Sequence, residues 1–136
     1  MKNITHASFW NTYGLVIARV LMGGIFLMGC YFKFFDINST ASYIAIVGFP
    51  IPLILAWVAA FFELFLGLAI ITGFWFREAV FLAGIYIIFL AFAFHGPSLW
   101  ADQNQFGFFV DHFTTLAGLL FMIAHGPGSK WVLKRS

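Results

Sequence analysis

Arg19 and Glu63 interrupt two long apolar stretches of this 136-residue chain, and both are side chains that bind polar ligands, move protons or hold helices in register. An unpaired charge at the centre of a membrane helix costs about 2.5–3.5 kcal/mol, so each needs a compensating partner. With both stretches helical, Arg19 lies about 21 Å inward of Lys33 and Glu63 about 16 Å inward of Pro52, depths that agree within about one turn. Ala56, Ala59, Ala60, Glu63 and Gly67 form one small-residue face, which turns Glu63 toward the bundle. Arg19, Gly23, Phe26, Cys30 and Lys33 form a matching stripe on the other helix. The expectation is a buried Arg19–Glu63 ion pair. It has two readings, a register-setting contact or a ligand and proton site.

A second constellation gathers at the opposite end of the same helices: Lys33, Asp36, His95, Asp111 and His112. Around one polar pocket these residues suit proton exchange near neutral pH. On the plainer reading Lys33 snorkels to the interface, Asp36 caps a short helix and the histidines occupy wet helix ends. Asp111, Thr114, Thr115, Gly118, Met122 and His125 share one flank of the last apolar stretch, which is expected to face inward. His95 and His112 are placed to meet across neighbouring helices, but no His-x-x-His or Glu-x-x-His spacing accompanies them, so neither metal nor haem is expected. Phosphate loops, dinucleotide fingerprints and Ser-His-Asp signatures do not occur.

The elements that carry these residues are transmembrane helices. Hydrophobic residues make up 62% of the chain and charged residues 9%, against about a quarter charged in a soluble domain. Four segments have the roughly 20 apolar residues a span requires, at about 14–35, 52–74, 76–95 and 106–125, with a short interfacial segment at about 36–48. The fold class expected is an all-α integral membrane four-helix bundle forming one domain. Lys2, Arg19, Arg77, Lys130, Lys134 and Arg135 fall on one side and Lys33 alone on the other, which puts both termini in the cytoplasm. This basicity reads as orientation, and no nucleic-acid role is expected. Cys30 follows Leu27-Met28-Gly29 as in a lipoprotein cleavage site, but the apolar run continues through Tyr31, Phe32, Phe34 and Phe35, so the first span is expected to be retained.

Taken in order, Arg19 through Phe26 and Gly29 to Lys33, Gly48-Phe49-Pro50, Glu63 with Gly67 and Gly73, Arg77 with Ala79, and Gly126-Pro127-Gly128 resemble the DoxX family of small membrane proteins. The chain departs from that pattern at Ser129-Lys130-Trp131 and at Asp111-His112, so the resemblance carries nothing to those positions. The family is functionally mixed and looks toward quinone-linked and other membrane redox complexes. The resemblance implies a redox-associated membrane subunit with quinone or a similar lipid-soluble molecule between its helices and electrons supplied by a partner. Two alternatives stand beside it: a non-catalytic scaffold or assembly subunit that holds other membrane subunits in a larger complex, and ion or proton transport by a homo-oligomer.

Overall fold

The computed structural model describes residues 6–133, so Lys2, Lys134 and Arg135, counted in the charge asymmetry, lie outside the described residues. The chain runs α1 (His6–Phe9), a wider π-turn (Trp10–Gly14), α2 (Leu15–Phe35), α3 (Ile37–Val47), α4 (Pro52–Thr72), α5 (Phe76–His95), a 3-10 turn (Pro97–Leu99) and α6 (Gln103–His125). Four of these helical stretches are long and apolar enough to cross a membrane, consistent with an all-α membrane bundle. The second of them stops at Thr72 because Gly73 takes a left-handed φ of 76°, which side-chain-bearing residues resist, and closes the helix on the Ala69 carbonyl. The fourth begins at Gln103, three residues before the apolar pattern, because the Asp102 side chain accepts the Asn104 amide and caps the first turn.

The tightest packing joins α2 to the antiparallel α4. A Cβ added to Gly23 would lie 2.7 Å from the Gly67 carbonyl oxygen, and one added to Gly67 would lie 2.9 Å from that of Gly23. Two glycines facing each other thus let the backbones touch, which is how helices associate where lipid removes the hydrophobic drive. Phe26, Leu66, Ile70, Val80 and Leu119 fill the core beside this contact. The short α3 crosses the Lys33 end of α2 and the Pro52 end of α4, the outer ends in the orientation expected from the basic residues, where Ala41 and Ile44 pack on Ala56 and Phe94. Asp36 starts it by accepting the Ser39 amide at 3.0 Å, and Gly48, at φ 97°, ends it. The last helix, α6, packs chiefly on α5 and barely reaches α2, so it is the least enclosed of the four. Beyond it the chain turns at Gly126 and Gly128 and passes back under α4, where the Leu133 amide donates to the Thr72 carbonyl.

Candidate ligand cavity and its charged wall

Between the outer halves of the helices lies a cavity of about 760 Å³, within the range of small-molecule sites. Its walls are mainly aromatic and aliphatic, with Phe32, Phe49, Phe62, Phe89 and Phe94 among them. Its polar groups are few: Lys33, Glu63 and Tyr86 bonded together, His95 and His112 with their rings in contact, and Ser39, Thr40 and Tyr43 from α3.

Glu63 organises the charged wall. Its Oε2 accepts from Lys33 Nζ at 2.8 Å and its Oε1 from the Tyr86 hydroxyl at 2.7 Å, while the residue is 4% exposed. Gly29 makes this possible, since a Cβ there would stand 2.6 Å from Oε2. A carboxylate held by an ammonium and a phenol is a neutralised, twice-bonded group, the form in which charge survives in a membrane interior.

The expected Arg19–Glu63 pair does not form. Arg19 Nη2 donates instead to the backbone carbonyls of Lys130 at 2.8 Å and Trp131 at 3.2 Å, in the chain segment after α6. Two physical reasons explain the difference. Side chains on a helix lean toward its N-terminus, and α2 and α4 are antiparallel, so Arg19 leans inward while Glu63 leans outward. The same lean carries Lys33 down to meet Glu63. Register does the rest: Gly29 stands opposite Glu63 and Arg19 Nη1 opposite Gly73, so the two charges are separated by ten residues of helix, about 15 Å. Pro52 therefore lies farther out than Lys33, and counting inward from those two residues brought unlike depths into apparent agreement.

Of the outer constellation, the cavity brings together Lys33, His95 and His112. The two imidazole rings lie 5.1 Å apart between centroids. Asp36 caps α3 and faces outward, as does Asp111. Of the stripe through Asp111, Met122 is buried and Thr115 and Gly118 are partly buried, while Asp111, Thr114 and His125 are exposed; the side that follows α5 is centred one residue on, at His112, Leu116 and Leu119, about 100° of rotation away. Among the described residues no three His, Cys, Asp or Glu side chains gather closely enough to hold a metal ion. Cys30 is buried in the continuous α2, its Sγ directed to the Leu27 carbonyl.

Tyr86 was not singled out by sequence reasoning, although a signal existed. Ala79, Ala83 and Tyr86 recur at helical spacing, so the phenol continues the small-residue face that α5 buries. The role of Lys130 and Trp131 had no such signal, because only their backbone oxygens take part.

The chain matches the DoxX family over residues 14–96, a stretch that includes Arg19, Lys33, Glu63, Tyr86 and His95 and stops short of His112. No curated protein and no solved structure gives a match to it.

Proposed function

The chain belongs to the DoxX family, and on that premise we propose that it is a membrane subunit of redox metabolism that holds a quinone or similar lipid-soluble ring in the outer cavity. The observation that carries this reading is the Lys33–Glu63–Tyr86 wall at the edge of an aromatic-lined space of about 760 Å³. Phe62 and Phe89 add aromatic lining of the kind a flat ring packs against. Lys33 Nζ gives one hydrogen to Glu63 and keeps two for an oxygen of the occupant. Glu63 keeps Lys33 aimed, and Tyr86 keeps Glu63 aimed. Arg19 has no part in this site, since its guanidinium serves the inner end of the bundle. Electrons come from a partner protein, and the orientation adopted puts the cavity on the outer side of a bacterial or archaeal inner membrane.

Extraction of protein purified from native membranes, followed by mass spectrometry, tests this directly. About one quinone-class molecule per chain is expected. An empty extract, together with no quinone-dependent turnover in the presence of membrane partners, would sink the reading.

A second reading, an assembly subunit, draws on α6. Its exposed face presents Phe106, Val110, Phe113, Leu120 and Phe121 with Asp111 and Thr114 among them, and a carboxylate facing lipid favours a covering neighbour. Loss of a co-purifying subunit in Asp111→Leu, with the monomer still folded, would support this second role. Unchanged assembly would remove its basis.

A further inference from the structure

We propose that the cavity selects the reduced, hydroxyl-bearing form of its occupant, with Nε2 of His95 and of His112 accepting the O–H; this rests on the quinone-type reading above. The Tyr86 hydroxyl donates to Glu63 at 2.7 Å, that of Tyr43 to the Phe94 carbonyl at 3.4 Å, and that of Thr40 to the Asp36 carbonyl at 3.5 Å. The Tyr86 hydroxyl therefore directs its proton into the protein, and the Tyr43 and Thr40 hydroxyls each have a backbone carbonyl within reach as acceptor.

The histidines add acceptors. His112 Nδ1 lies 2.6 Å from the Phe108 carbonyl oxygen, which only accepts, so Nδ1 carries the hydrogen and a neutral ring keeps its Nε2 lone pair. His95 Nδ1 lies 2.7 Å from Gln105 Oε1 and has the same consequence. Both rings line the cavity, 5.1 Å apart. Two such lone pairs beside a largely apolar space favour an occupant that brings a donor. Lys33 is a donor with two hydrogens left, and the Ser39 hydroxyl in the lining turns either way, to donate or to accept. The complementary occupant thus carries an O–H toward the histidines and an accepting oxygen toward Lys33. A hydroquinone satisfies both. The corresponding quinone satisfies Lys33 and leaves the histidines unmatched.

A matched pair isolates this difference, because the two forms share one carbon skeleton. The chain in lipid nanodiscs is titrated anaerobically with a decyl-substituted benzoquinone and, separately, with its hydroquinone. The hydroquinone is expected to bind at least about tenfold tighter, the equivalent of one hydrogen bond. Tighter binding of the reduced form raises the midpoint potential of the bound couple, by about 30 mV per tenfold for two electrons. His95→Leu and His112→Leu are each expected to shrink the ratio of the two affinities. Should a variant fail to fold, the ratio in the unaltered protein still decides. Equal affinities, or a preference for the quinone as donating imidazolium rings would give, overturn the inference and leave the quinone reading in place. Binding of neither form overturns both.

Discussion

Replacing Lys33 by Met removes the cation from a carboxylate that has one other bond, and the geometry gives the cost. At 2.8 Å and an effective dielectric of about 20, the gross attraction of Lys33 and Glu63 is about 6 kcal/mol. Lys33 keeps 22% of its side-chain surface, so solvent screening and the desolvation of both groups cut the net value well below that. Breaking a buried pair by removing one partner costs about 3–5 kcal/mol, and the Tyr86 bond to Glu63 places this case near 3. Glu63→Gln in the same background removes the stranded charge and restores part of the loss. A double-mutant cycle in SDS or by steric trapping should therefore give a coupling of about 2 kcal/mol between positions 33 and 63. The same cycle between Arg19→Met and Glu63→Gln should be additive within about 0.5 kcal/mol, since the two groups share no partner and lie about 15 Å apart. A larger coupling at 19 and 63 than at 33 and 63 would refute the side-chain lean and register on which the site is built.

Three further outcomes follow from the same contacts. Tyr86→Phe deletes a hydroxyl from a charged acceptor in a buried site and should cost about 1.5–3 kcal/mol in the same unfolding assay, with ligand affinity falling as Glu63 loses its fixed orientation. Gly29→Ala puts a methyl 2.6 Å from Glu63 Oε2, so the carboxylate must leave Lys33 or the helices must part; a loss of about 1–3 kcal/mol with reduced ligand binding is expected, and a neutral effect would contradict the close approach. Arg19→Met leaves the Lys130 and Trp131 carbonyls without their donor and should speed tryptic cleavage after Lys130 severalfold, measured by mass spectrometry, while the outer cavity binds its ligand as before.

The four spans were legible because length and apolarity alone decide what crosses a bilayer. Glu63 was legible as an inward group, since the small residues at 56, 59, 60 and 67 mark the face on which helices can meet. Its partner was not, because pairing across antiparallel helices depends on which residue stands opposite and on the lean of both side chains. Lys33, assigned to a separate outer cluster, became the partner once Gly29 was seen opposite Glu63. Arg19 exposes a different limit. Its acceptors are backbone oxygens on a segment more than 100 residues away, and any residue type at 130 and 131 presents the same carbonyls. The His95–His112 meeting was anticipated from antiparallel neighbours, whereas Asp111, one residue away, turned outward because a one-residue step on a helix is about 100°.

The central claim is that a lipid-soluble ring occupies the space beside Lys33, Glu63 and Tyr86. Photo-crosslinking of the chain in nanodiscs with an azido-quinone, followed by peptide mapping, tests it most directly. The account predicts labels within 29–33, 58–63 and 86–95 that disappear under excess unlabelled quinone and in the cavity-filling Ala59→Phe variant. Labels confined to the outward faces of the helices, such as Leu120 and Phe121, and undiminished by competitor would contradict it.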